Sequence, residues 1–148
     1  MNASSPELSG GTLVLKTPEN SAQLNATIHA QHGSLNLDVA QFDTDFATLE
    51  NTIQQAGIDQ HIFIRNREQN IEQDSNQHLT AKDITLVADS GAINLLGTLK
   101  AQRDAQQGGN ISLYAAKQII LQANSQLDVS AKQQGGTLLL STQNAAIE

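Results

Sequence analysis

The chain has 148 residues, a net charge of −7 and no cysteine, which excludes disulfides and thiolate chemistry. Its eight basic residues form no stripe, and no apolar run approaches the ~20 residues of a transmembrane helix, so we expect neither a nucleic-acid partner nor membrane insertion. Aromatic residues make up 3% of a chain that is 39% hydrophobic, so we expect a core of stacked Leu, Ile, Val and Ala.

The first predicted strand carries a phrase that the chain uses three times. It reads Gly-Gly-Thr-Leu-Val-Leu at 10–15, Gly-Gly-Asn-Ile-Ser-Leu at 108–113 and Gly-Gly-Thr-Leu-Leu-Leu at 135–140, and the last two copies begin 27 residues apart. A strand-like run repeated at such a period is typical of a solenoid. We interpret each Gly pair as a corner of the coil, where glycine reaches positive φ without steric cost. A hairpin turn is the alternative.

Residues 10–39 are predicted to form the first coil. Three short apolar runs at 13–15, 24–28 and 35–39 are separated by polar residues, as expected for one strand on each of three sides. Pro18 lies between two of these runs, where the loss of a ladder donor does no harm.

Residues 40–80 are predicted to form an insertion or an irregular rung. Phe46, Leu49, Ile53 and Ala56 have helical spacing, so we expect a short helix near 43–57, with an N-cap from Asp43 to Asp45 and a stop at Gly57. A strand at 61–65 and a polar loop at 66–77 follow. Insertions on a solenoid often mark its binding face.

Residues 81–148 are predicted to form regular coils. The units 82–107 and 108–134 each contain three short runs with apolar residues at i and i+2, which is the strand period. A β-meander would give the same period, but like sequence repeated along the chain favours a coil in which equivalent strands stack. The predicted stacks are Ile84 on Ile111 and Leu138, Leu86 on Leu113 and Leu140, Ile93 on Ile119, Leu95 on Leu121, and Leu99 near Leu127 and Val129.

The predicted fold is therefore an all-β, three-sided parallel β-helix that forms a single domain over residues 1–148. We expect about five rungs of 23–27 residues, interrupted by the one short helix.

One cluster combines basic and aromatic side chains: His61, Phe63, Arg65 and Arg67. Alternate residues of a strand point the same way, so these four are a candidate interaction patch. Its basic groups either pair with Glu68 or Glu72, or contact an acidic glycan or a neighbouring protomer.

The densest carboxylates are Asp38, Asp43, Asp45 and Glu50. Asp38 is predicted to end a strand, and Asp43 and Asp45 fit helix capping, while a cation site or an acid–base pair remains open. No nucleophile elbow or phosphate-binding loop is present, because the Gly pairs precede strands rather than helices. We therefore expect a protein without catalytic residues, metal or cofactor.

The sequence of five segments resembles large bacterial exoproteins of the filamentous-haemagglutinin type. The segments are 83–86, 91–95, 109–113, 125–130 and 135–138. These are surface adhesins exported by two-partner secretion. The resemblance implies a right-handed parallel β-helix that forms the shaft of a secreted or cell-surface adhesin, active in cell adhesion or biofilm assembly. Its export signal and anchor would lie outside this chain.

The partners expected of such a shaft are like rods, bound end to end or laterally, and extracellular polysaccharide or host glycan. Two alternatives remain, because parallel β-helices also carry polysaccharide lyases and hydrolases. The chain is then either a polysaccharide-acting enzyme or a glycan-binding module without catalysis.

Overall fold

The computed structural model describes residues 10–24, 26–43, 45–143 and 147. The described residues form twelve strands and one helix. In chain order these are β1 (Thr12–Ala22), β2 (Ser34–Phe42), α1 (Phe46–Ala56), β3 (His61–Asn66), β4 (Ile71–Gln73), β5 (His78–Ala81), β6 (Asp83–Ala88), β7 (Ile93–Leu95), β8 (Thr98–Ala101), β9 (Asn110–Ala115), β10 (Ile119–Leu121), β11 (Gln126–Asp128) and β12 (Thr137–Thr142).

The strands form three parallel sheets, one on each side of a solenoid of about five turns. The broad face has six strands in the order β1-β2-β3-β6-β9-β12, the second face has β4-β7-β10, and the third face has β5-β8-β11. Each strand pairs with its equivalent in the next turn, which is how a coil differs from a meander. The predicted three-sided parallel solenoid is confirmed. The right-handedness of the coil stays a prediction.

The apolar ladders of the regular turns are those that the sequence predicts. On the broad face Ile84 pairs with Ile111, which in turn pairs with Leu138. Ile93 pairs with Ile119 on the second face, and Leu99 with Leu127 on the third. Side chains of the inner turns are fully buried because each strand points alternate residues into the coil and has a turn above and below it.

The N-terminal turn differs from the predicted first coil. Strands β1 and β2 pair in parallel, with Leu13 beside Leu35 and Leu15 beside Leu37, so the run at 35–39 belongs to the next turn of the broad face. The predicted run at 24–28 contains position 25, outside the described residues, and its flanking residues form no named strand.

The predicted irregular rung at 40–80 is also corrected. Residues 61–81 form a regular turn with one strand on each face, and β4 lies inside the segment predicted as a polar loop. Among the described residues, the coil is interrupted by helix α1 and, in the first turn, by the segment between β1 and β2, which has no named strand. Helix α1 begins one residue after Asp45 and ends before Gly57, whose φ of 80° terminates it as expected; position 44 is outside the described residues.

Helix α1 takes the place that strands of the second and third faces occupy in the three turns that follow it. It contacts β4 and β5, the first strands of those two faces. The Gln54 side chain donates from Nε2 to the backbone oxygen of His78 at 2.6 Å, which satisfies an acceptor on the edge of β5. At the helix end, the Ala56 carbonyl accepts from the backbone N–H of Ala30 at 2.8 Å. The helix therefore covers two sheet edges that would otherwise be open.

In the last two Gly pairs, Gly108, Gly109 and Gly136 serve close approach rather than positive φ. Gly57 is the one glycine with positive φ among the described residues, so the predicted reason for the pairs is wrong. A Cβ on Gly109 would overlap the backbone oxygen of Lys82 in the turn below, and one on Gly136 would overlap that of Gly109. Glycine is needed here because successive turns touch backbone to backbone.

Candidate functional site

A cleft of about 330 Å³ opens where the chain leaves the broad face to form α1. It lies between the end of β2, the first turn of α1 and the segment that joins β3 to β4. The lining residues are Leu37, Val39, Phe42, Asp43, Asp45, Phe46, Ala47, Leu49, Ile64, Asn66, Gln69, Asn70, Ile71, Glu72 and Asp74. The cleft thus falls within the segment 40–80 that the sequence marks for binding.

The cleft combines an apolar floor with an acidic rim. Aliphatic side chains and the half-buried rings of Phe42 and Phe46 form the floor. Four exposed carboxylates stand at the rim, and no lysine, arginine or histidine is among the described lining residues. The rim carboxylates are Asp43, Asp45, Glu72 and Asp74.

The side chain of Asn66 is the buried polar group of the cleft. Asn66 is only 6% exposed, and its Oδ1 accepts from the backbone N–H of Gln69 at 3.1 Å. Its Nδ2 has no hydrogen-bond partner among the described residues. Glu50 Oε1 is the only enclosed side-chain polar atom without a partner among the described residues, so Asn66 Nδ2 is accessible and can donate to a molecule that enters the cleft.

The four carboxylates singled out from the sequence do not come together. Asp45 caps α1 by accepting from the Thr48 N–H at 2.7 Å, which confirms capping and lowers the pKa of Asp45. Asp43 lines the cleft beside it, and Glu50 is on the buried side of α1. Asp38 lies in the middle of β2, so the prediction that it ends a strand is wrong. Within the part of the chain that the structure describes, no cluster of three or more potential ligands is able to hold a metal ion.

Glu50 forms a buried pair with Gln73. Both are 0% exposed, and Gln73 donates from Nε2 to Glu50 Oε2 at 2.8 Å. Glu50 Oε1 has no partner among the described residues. Burial raises the pKa of Glu50 to about 7, and the negative charge of Asp74 adds to the rise, while the Gln73 hydrogen bond opposes it. The helical stripe contains this position, since Glu50 follows Phe46 by four residues and precedes Ile53 by three.

The candidate interaction patch is brought together on and beside β3. His61, Phe63 and Arg65 point outward from β3, and Arg67 follows the strand. The predicted partners Glu68 and Glu72 are wrong, because each basic group pairs with an aspartate of a neighbouring turn. His61 Nδ1 lies 2.8 Å from Asp83, Arg65 Nη2 lies 2.7 Å from Asp89, and Arg67 contacts both oxygens of Asp38 at 2.7 and 3.0 Å.

These pairs leave the patch with little net positive charge. The hydrogen bonds from Arg67 hold the pKa of Asp38 below its ordinary value, so this carboxylate stays ionised beside the guanidinium. The cross-turn pairs join β2, β3 and β6 on the outer side of the broad face. Binding by the patch stays a prediction.

Comparison with protein-family models, curated proteins and solved structures finds no match to this chain. The fold itself defines the class of protein, a parallel β-solenoid in which one coil contains an α-helix. No helix within the described ranges is long and apolar enough to cross a membrane.

Proposed function

We propose that the chain is a structural and interaction segment, the shaft of a secreted bacterial adhesin or extracellular matrix fibre. The observation that carries the proposal is the continuous stacking of six parallel strands on the broad face, whose four inner strands have buried inward Leu and Ile residues. Stability of such an array accumulates turn by turn, because each turn contacts only its neighbours. A stack of this kind is a stiff spacer whose length is set by the number of turns.

The secreted or cell-surface location, and a role in adhesion or biofilm assembly, come from the resemblance of the repeated phrases to filamentous-haemagglutinin-type proteins. The proposed activity is non-enzymatic. Hydrolysis or elimination of a polysaccharide that disappears in Asp43→Asn and Glu72→Gln variants would instead favour the enzyme alternative, because these carboxylates line the cleft.

Removal of residues 83–109 is expected to leave a folded solenoid that is one turn shorter. Asp83 pairs with Asn110, 27 positions later, so the deletion places Asn110 beside His61 in the same register that Asp83 has now. Circular dichroism should keep its strand signal, and small-angle X-ray scattering should show a rod shorter by about 5 Å, the spacing of adjacent strands.

The matched control removes only residues 83–96. This deletion joins β5 to the residue before β8, so strands of one face are placed on another and the ladders cannot stack. We expect this variant to unfold. Loss of fold in both deletions would contradict a shaft built from interchangeable turns.

Self-association is proposed to occur end to end, through the exposed end at β12. Leu138 and Leu139 are equally exposed, 43% and 44%, but they point to opposite sides of β12. Leu138 continues the inward ladder above Ile111, whereas Leu139 stands on the outer side beside Ser112. In sedimentation velocity at high protein concentration, Leu138→Lys should abolish association, and Leu139→Lys should leave it unchanged.

The opposite result would favour lateral contact between rods through the outer side of the broad face. A wild-type protein that stays monomeric at the highest soluble concentration would reject both modes of association.

A further inference from the structure

The charge of the cleft selects the kind of ligand that it can hold. Four carboxylates at the rim, with no basic residue among the described lining, create a negative potential at the opening. Acidic sugars and phosphorylated compounds are therefore repelled, and a cationic group is attracted. The cleft thus has the same sign of charge as the acidic glycan that the sequence suggests for Arg65 and Arg67, so it is not a site for that glycan. The charges of the two arginines are themselves compensated by Asp89 and Asp38.

The floor of the cleft excludes a bare cation as the complete ligand. Phe42 and Phe46 present half-buried rings, and Leu49 and Ile71 are buried beneath them. Aromatic faces bind both cations and the C–H faces of flat ligands. The cavity volume of about 330 Å³ is at the lower end of the ~300–1,000 Å³ range of ligand sites, so a single small unit fits better than an extended chain.

The polar groups between floor and rim require hydroxyl groups on the ligand. Asn66 is nine-tenths buried, but its Nδ2 has no protein partner among the described residues and is not enclosed, so it is a donor available to an oxygen acceptor of the ligand. The rim carboxylates accept from hydroxyl or ammonium groups. The Gln69 amide already bonds Phe42 and Gln41. Asn70 Oδ1 accepts from the Ala92 N–H, so Asn70 Nδ2 is the amide donor left at this edge. A ligand that satisfies all three regions has an apolar face, hydroxyl groups and a positive charge.

We propose that the cleft binds an amine-bearing sugar unit of an extracellular polysaccharide. The protonated amine faces the rim carboxylates, the C–H face of the ring lies on Phe42 and Phe46, and one hydroxyl oxygen accepts from Asn66 Nδ2. The extracellular source of the sugar rests on the proposed function, whereas the cleft can bind the sugar unit whether or not rods associate. The tests of the two proposals therefore fail separately.

The test uses the whole chain and a glucosamine tetrasaccharide, in isothermal titration calorimetry at low salt and mildly acidic pH, where the amine is protonated. We expect saturable binding that weakens by about tenfold or more in the double variant Asp43→Asn/Glu72→Gln, since two charge-assisted contacts are lost. Both residues are exposed and neither side chain makes a hydrogen bond within the described residues, so the variant should fold.

The matched control is Asp104→Asn/Asp128→Asn, which removes the same charge from a distant turn. Asparagine keeps the oxygen that accepts from the Gln106 and Ser130 backbone N–H groups, so this variant should bind as the wild type does. The N-acetylated tetrasaccharide should bind at least about tenfold more weakly, because its amide carries no charge. An oligogalacturonate should not bind.

Four results would overturn the proposal. They are no binding of the glucosamine tetrasaccharide, equal loss in the two double variants, equal binding of the N-acetylated form, and equal binding of tetralysine. Equal loss would indicate attraction by net charge alone, and equal binding of tetralysine would indicate a cation site without sugar selectivity.

Discussion

Replacing Gly109 by alanine is expected to destabilise the solenoid by about 3 kcal/mol or more, whereas Gly135→Ala should change stability by less than about 1 kcal/mol. The two glycines stand in successive copies of one phrase. A Cβ at Gly109 would overlap the backbone oxygen of Lys82, which cannot move without separating two turns. A Cβ at Gly135 would meet only the Val129 oxygen at 3.8 Å, an ordinary contact.

Urea unfolding of the two variants measures this difference directly. Neither glycine has positive φ, so alanine is equally acceptable to the backbone at both positions and the comparison isolates close approach. Equal destabilisation of the two variants would show that the pairs act through backbone freedom after all.

The stability of the fold is expected to fall by roughly 3 kcal/mol as the pH rises from 4.5 to 7, through the titration of Glu50. The pKa of Glu50 is about 7 in the folded chain, against an ordinary 4.5. Below pH 4.5 Glu50 is protonated in both the folded and the unfolded chain, and its contribution to the free energy of unfolding is fully present. As the pH rises, the unfolded chain releases the Glu50 proton first, so the free energy of unfolding falls. It reaches its lowest value above the pKa that Glu50 has in the folded chain.

The variant Glu50→Gln should remove this pH dependence and be more stable than the wild type at pH 8. Glutamine keeps an oxygen for the Gln73 Nε2 donor without a buried charge. The matched control is Glu68→Gln, at an exposed position, which should follow the wild-type curve. Because the total stability sums over every titrating group, the difference between wild type and Glu50→Gln is the quantity to measure by urea unfolding at each pH. A constant difference across pH 4.5 to 7 would contradict the assignment.

The regular ladders could be predicted because alternation along each strand and repetition between turns point to the same inward residues. Ile84, Ile111 and Leu138 satisfy both rules, so their stacking follows from the sequence. Helix α1 was equally predictable, since helical spacing agrees with an aspartate before it and Gly57 after it. The structure of a segment can be predicted when its local residue pattern agrees with a second signal, such as repetition or flanking cap residues.

The predictions are wrong where either the strand alternation or the repetition between turns is absent. Strand β4 has only Ile71 as an inward apolar residue, because Gln73 is buried through hydrogen bonds instead of apolar contact. The first two turns are spaced by 22 residues, from Leu13 to Leu35, so the later 27-residue period does not locate them. The partners of Arg65 and Arg67 lie 24 and 29 positions away, where no local charge rule would search.

For the cleft, only its approximate location in the chain could be predicted. The break in the repeat marked residues 40–80, but the rim brings together Asp43 before the helix and Glu72 on β4, which are neighbours only once the helix is seated across two faces. The unpaired amide of Asn66 depends on the same placement.

The seated helix gives the rod a polarity. At the α1 end, the edges of β4 and β5 are occupied, and only the broad face continues, through β2 and β1. At the other end, β10, β11 and β12 are each the last strand of their sheet among the described residues. Ile147 already pairs with Ile119 at the edge of β10, so an added turn would meet the edges of β11 and β12 at this end and that of β1 alone at the other. Because the two ends differ, growth of a stack would be directional, like that of a filament with a fast and a slow end.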